Sequence, residues 1–152
     1  MKPRSRGFTL LELLIVVSIV ALATAGVSLS LRDTNATALD DEAVRLAAMF
    51  ESARAQSRTS GVPVRWRSNA QGFEFQGITT SADARDSLAR PRTWLNEQTR
   101  ARVIQPPGAS GLLLGPEPLI AAQQIELAQG DRRLVLGTDG LAPFAVVPAA
   151  AP

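Results

Sequence analysis

A chain of 152 residues, 45% hydrophobic and 20% charged, has room for one domain and an appended segment but not for two full cores. Cysteine and histidine are both absent, which excludes Cys–His and Ser–His nucleophile pairs, thiolate or imidazole zinc sites, C-x-x-C redox motifs and any disulfide. The net charge of +2 comes from Lys2, Arg4 and Arg6; beyond residue 7, 13 arginines face 14 carboxylates, so the basic pI is no argument for a nucleic-acid partner.

From Phe8 to Leu31 the chain reads FTLLELLIVVSIVALATAGVSLSL, and Glu12 is its only charge. As a helix rising about 1.5 Å per residue this run spans about 36 Å, enough for a hydrocarbon layer of about 30 Å. The basic cluster before it puts Met1 on the cytoplasmic side by the positive-inside rule. A secretory signal cleaved after Ala23-Thr24-Ala25 and a plain single-span anchor both fit the composition. Neither accounts for Glu12, whose insertion costs on the order of 1–3 kcal/mol and which therefore calls for a partner.

Arg6-Gly7-Phe8-Thr9-Leu10-Leu11-Glu12, followed by Leu13-Leu14-Ile15-Val16-Val17, resembles the class III signal of type IV pilins and type II secretion pseudopilins. The resemblance implies a leader over residues 1–7, removed by a prepilin peptidase that cuts after Gly7 and methylates Phe8. It implies a transmembrane helix over 8–31, with Glu12 as the assembly residue. A carboxylate in a low-dielectric layer is offset by a nearby cation, here the α-amino group of Phe8 in a neighbouring subunit. That contact selects one axial register, as a buried polar residue does in a coiled coil. Many members of the family carry a proline in the second half of this helix; this chain has Gly26, Ser28 and Ser30 there instead.

The polar stretch Asp33-Thr34-Asn35-Ala36-Thr37 suits either the cap of a new helix or a continuation of the first. Leu39, Ala43, Leu46, Phe50 and Ala53 then recur at steps of three and four, the apolar face of an amphipathic helix. Asp40, Asp41 and Glu42 are expected as a solvated first turn rather than a metal site. Arg54 and Arg58 suit the C-terminal dipole, and Gly61 and Pro63 end the helix. By resemblance, 32–60 is the amphipathic half of a spine helix that backs a periplasmic head over 61–152.

The head reads as β structure. Val62, Val64 and Trp66 alternate with Pro63, Arg65 and Arg67, and Phe73 and Phe75 alternate with Glu74 and Gln76. With the turn Ser68–Gly72 between them, these segments predict a hairpin that puts Trp66 in the core and both arginines in water. Residues 77–111 are broken by Pro91, Pro106, Pro107 and Gly108 and read as loop. Arg85, Arg90, Arg92, Arg100 and Arg102 crowd the window 85–102 around Trp94. Two expectations stand for it: a loop that tucks Trp94 against the head, or a partner contact made by Trp94 and Arg92. Strands follow at 112–114, 125–127 and 134–136, and Asp139-Gly140 opens a last hairpin toward 143–147. The tail Pro148–Pro152 is expected to fray.

The fold class expected is α+β, a long N-terminal spine helix packed on a small antiparallel β-sandwich-like head. The C-terminal hairpin resembles the heads of H-type minor pseudopilins and of FimT/FimU minor pilins. That resemblance implies a structural, non-enzymatic subunit of the type II secretion pseudopilus with no cofactor or metal. The implied partners are the major pseudopilin, the minor I-, J- and K-type subunits, the prepilin peptidase/methyltransferase, the inner-membrane assembly platform and inner-membrane lipid. The alternatives are a FimT-like minor pilin that captures DNA through the 85–102 arginines, and an exported enzyme whose chemistry would rest on scattered acids alone.

Overall fold

The computed structural model describes residues 10–78 and 88–148, with the side chains of 25–36 outside that description. Among the described residues one helix precedes eight short strands: α1 (Leu10–Ser60), β1 (Val64–Ser68), β2 (Gly72–Gln76), β3 (Arg92–Thr93), β4 (Arg100–Gln105), β5 (Leu112–Leu114), β6 (Gln123–Gln129), β7 (Arg132–Thr138) and β8 (Ala145–Val147). All strand pairs are antiparallel, so the class is α+β. The chain divides into two compact units between Asn35 and Ala36, and α1 contributes backbone to both. The polar stretch 33–37 therefore continues the helix.

Only part of the membrane span expected over 8–31 falls on described side chains. Among the described residues no helix is long and apolar enough to cross a membrane. The described side chains of this stretch run from Leu10 to Thr24, a rise of about 22 Å. The rest of the expected span lies outside the described side chains.

In the second unit the expected apolar face is the one buried: Leu39, Ala43, Leu46, Phe50 and Ala53 have no solvent exposure. Gly61 ends the helix with φ 69°, and its N–H donates to the Ser57 carbonyl at 2.9 Å, a left-handed C-cap that a side chain would oppose.

Two four-stranded sheets complete this unit, in the orders β3-β2-β1-β5 and β4-β6-β7-β8. The β1–β2 hairpin forms as expected, with Ser68 opposite Phe73 and the Asn69 carboxamide oxygen accepting the N–H groups of Gln71 and Gly72. Alternation along β6 buries Gln123, Ile125, Leu127 and Gln129 and turns the residues between them outward. The two-residue loop Gly130-Asp131 joins β6 to β7, with the positive φ at its first position that a type II′ turn needs. The hydroxyl of Ser68 on β1 donates to the Ala101 carbonyl on β4, one direct tie between the sheets.

The core is built around aromatic rings. Six of the seven aromatic residues form one connected cluster, Phe8 lying outside the described residues. Phe50 of the helix stands at its centre, 4.7 Å from Phe144, 5.3 Å from Trp66 and 6.2 Å from Phe75 between ring centroids. These are the edge-on and tilted arrangements that the ring quadrupole favours. One helical side chain thus contacts rings on β1 and β2 of the first sheet and on the connection into β8 of the second.

Two sequence expectations are corrected here. The window 77–111 is not all loop, because β3 pairs with β2 and β4 forms an edge of the second sheet. Its Ala101 and Val103 turn partly inward and Arg100 and Arg102 outward, the ordinary alternation of a half-covered edge strand. The acid triplet is also not uniformly solvated: Asp40 and Asp41 are exposed, but Glu42 is 0% exposed.

Candidate assembly site

Gly7 and Phe8, the expected processing positions, lie outside the described residues. Glu12 lies at the start of the described part of α1. Around and beyond it the helix exposes apolar side chains on every side: Leu10 is 82% exposed, and Leu13, Leu14, Val17, Val20 and Leu22 are exposed as well. A helix apolar all round has no solvent-facing stripe and is built for apolar surroundings. Its described hydroxyls are satisfied internally. Ser18 donates to the Leu14 carbonyl at 2.8 Å, and Thr24 donates to the carbonyls of Val20 and Ala21. Such back-bonding removes polar groups that would otherwise require water.

In the second unit, two Glu-x-x-Arg pairs lock the helix to the strands. Glu42 and Arg45 form the first. The Glu42 carboxylate accepts the Leu95 N–H at 2.6 Å and an Arg45 Nη1–H at 3.1 Å. Arg45 also donates to the Thr93 carbonyl, and its guanidinium lies 5.5 Å from the Phe73 ring centroid. Burial pushes the Glu42 carboxyl above its usual range, against the Leu95 N–H and the Arg45 charge, which pull it down. The second pair is Glu51 and Arg54. Arg54 is almost wholly buried and donates to the carbonyls of Gly140 and Ala142, while Glu51 accepts the Phe144 N–H.

Nine residues separate the two pairs, about two and a half turns, so they sit on opposite flanks of the helix. One holds the segment after β3, at an edge of the first sheet; the other holds the connection into β8, at an edge of the second. The signal available in the sequence was the i,i+3 spacing of acid and arginine. It is silent on burial.

Trp94 is 5% exposed; its ring stacks at 5.1 Å on Phe73 and its Nε1–H donates to the Asn69 carbonyl at 3.1 Å. It serves the core and is not presented to a partner, which corrects the partner-contact expectation for this residue. Arg92 is half-buried on β3. Arg85 lies outside the described residues, and Arg90 is exposed. Arg100 donates to the carbonyls of Glu97 and Thr99, and Arg102 pairs with Glu126 directly opposite on β6 at 2.9 Å. The Arg102 guanidinium holds the Glu126 carboxyl below its usual range. Two of the five arginines that suggested a phosphate-binding surface are thus spent within the fold.

The turn acid Asp139 accepts the N–H groups of Ala142 and Leu141, which hold its carboxyl below the usual range. Among the described residues no cluster of three acids could hold a metal ion.

A family model described as the prokaryotic N-terminal methylation motif matches residues 2–28. The match takes in Gly7, Phe8 and Glu12 together, and it supports a type IV pilin-like prepilin signal at this end of the chain. Such a motif implies processing by a prepilin peptidase and assembly with other pilin-like subunits. No curated protein and no solved structure matches the chain.

Proposed function

We propose that the protein is a non-enzymatic minor pseudopilin, a structural subunit of a type II secretion pseudopilus that helps export folded proteins across the outer membrane. The observation that carries this reading is a coincidence of position. The methylation motif over 2–28 falls on a helix whose side chains are apolar on every face and whose only described acid there is Glu12.

In this reading residues 8–31 lie in the inner membrane with Met1 cytoplasmic, and the head over 61–152 is periplasmic. Cleavage after Gly7 creates the cation that Glu12 needs, the methylated amine of Phe8 in an adjacent subunit. The apolar cylinder supplies non-directional contact, and the ion pair supplies register. The small head, closed by the β7–β8 hairpin near the C-terminus, supports an H-type subunit near the filament tip. Its neighbours would be the major pseudopilin and the I-, J- and K-type subunits on the assembly platform.

The intact mass and N-terminal sequence of the protein from its host's membranes test this directly. The expected chain begins with N-methylated Phe8, and one beginning at Gly26 refutes the reading. Glu12→Ala should leave the membrane-bound amount unchanged and cut filament incorporation by about tenfold or more, the loss expected of an offset buried charge. Normal incorporation would refute the role of Glu12. Deleting the gene should block export of folded proteins while leaving surface pili in place.

A further inference from the structure

Arg65 and Arg67 stand two residues apart on the exposed side of β1, facing away from the buried Val64 and Trp66. Among the described residues neither guanidinium takes part in a hydrogen bond or an ion pair. Both line a hollow of about 300 Å³ together with Ser110, and no carboxylate lines it. The loop that carries Ser110 is drawn tight against β1 at Gly111, where a Cβ would overlap the Trp66 carbonyl oxygen. The site is therefore rich in donors and has no anionic side chain in its lining.

An apolar seat adjoins it. Arg65 is registered opposite Leu113 of β5, so the two side chains leave the same face with Cβ atoms roughly 5 Å apart. Leu113, 42% exposed, lines a second hollow of about 310 Å³ with Leu119, 64% exposed, and Ile120. Leu113 and Gly111 line both hollows. The free edge of β5 is already taken: the Gln123 carboxamide accepts the Leu113 N–H and donates to the Leu113 carbonyl, both at 2.8 Å. A ligand here is recognised through side chains and not by adding a strand.

We propose that this double seat binds a segment of a partner protein in which one carboxylate side chain is flanked by aliphatic ones. The carboxylate enters between Arg65 and Arg67, and an aliphatic neighbour lies on Leu113, Leu119 and Ile120. Charge favours this occupant over a nucleic acid. Glu74 faces Arg67 across the β1–β2 pair and Glu117 lines the second hollow, so the double seat is near neutral and its positive charge is local to Arg65 and Arg67, a place for a single carboxylate and poor for a run of phosphodiesters. The apolar half has no use in phosphate binding. The inference stands on the head alone and does not depend on the filament reading.

The test uses the full chain in detergent micelles and a fluorescein-labelled, acetylated and amidated peptide with one aspartate between two leucines, followed by anisotropy. Saturable binding is expected. It should weaken about tenfold or more in Arg65→Gln/Arg67→Gln and with asparagine replacing the peptide's aspartate, weaken at raised salt and in Leu113→Ser, and be unchanged in Arg58→Gln. Absence of saturable binding, or equal affinity for the aspartate and asparagine peptides, overturns the proposal. So does a single-stranded oligothymidine that binds more tightly than the peptide with the same arginine dependence. Should the double variant fail to fold, the two peptides compared on the unmodified chain decide the matter.

Discussion

Replacing Glu42 separates the two things its carboxylate does. In Glu42→Ala the Leu95 N–H loses a charged acceptor at 2.6 Å, and such bonds contribute about 1.5–3 kcal/mol. The Arg45 pair adds less than about 1 kcal/mol, because that side chain keeps a quarter of its surface in water. Truncation of a fully buried side chain leaves a void as well, so the total expected is about 2–4 kcal/mol. Glu42→Gln keeps an acceptor and removes the titration. Burial raises the Glu42 carboxyl above its ordinary value of 4.5. The folded state then holds this proton more tightly than the unfolded chain, so the group's contribution is whole below that value and is lost as pH rises through the folded pKa. The unmodified protein should lose stability across that window. Glu42→Gln should show no such decline and should lie within about 1 kcal/mol of it at neutral pH. Urea unfolding followed by tryptophan fluorescence reads this well, because both tryptophans lie in the head and Trp94 adjoins Leu95. An alanine variant costing under about 0.5 kcal/mol, or equal pH slopes for the glutamate and glutamine forms, would refute the reasoning.

Phe50→Ala removes the ring at the centre of the aromatic cluster and should cost about 3–5 kcal/mol in the same assay; a loss below about 1 kcal/mol would show that the cluster is loosely packed. Gly140→Ala should cost at least about 2 kcal/mol, because φ there is 101° and a Cβ would overlap the Ile120 carbonyl oxygen. Gly61→Ala, with φ 69° and open space around it, should cost only about 1 kcal/mol, and equal losses at the two glycines would contradict this account. Arg54→Met strands the Gly140 carbonyl, leaves the Ala142 carbonyl only the Thr138 hydroxyl, and should cost about 2–4 kcal/mol, less than additively with Gly140→Ala because both act on one loop.

Much of the head was legible because it follows simple periods. The three-and-four spacing of Leu39, Ala43, Leu46, Phe50 and Ala53 named the buried face of the helix, and the alternation around Trp66 placed the indole inside and both arginines outside. The same alternation was present in Arg100-Ala101-Arg102-Val103, but two small or branched residues among arginines carry a weak apolar signal, and β4 passed for loop. β3, two residues long, has no period to read. Trp94 could be read as tucked in or as exposed because its neighbours in sequence are polar. Its burial comes from Phe73 and Asn69, more than twenty residues away.

The N-terminal motif was readable in full, since a leader, a cleavage glycine and an apolar run with one acid are properties of consecutive residues. Helical periodicity and turn chemistry are local in the same sense, so they could be read from order alone. Contacts between distant segments decided the rest. Glu42 is set apart from Asp40 and Asp41 by the side of the helix it occupies and by the Leu95 N–H that meets it there, fifty-three residues later. Arg54 is buried because the loop after β7 returns to it. Arg65 acquires its apolar neighbour only when β5 pairs with β1, for register is set where two strands meet and not within either strand.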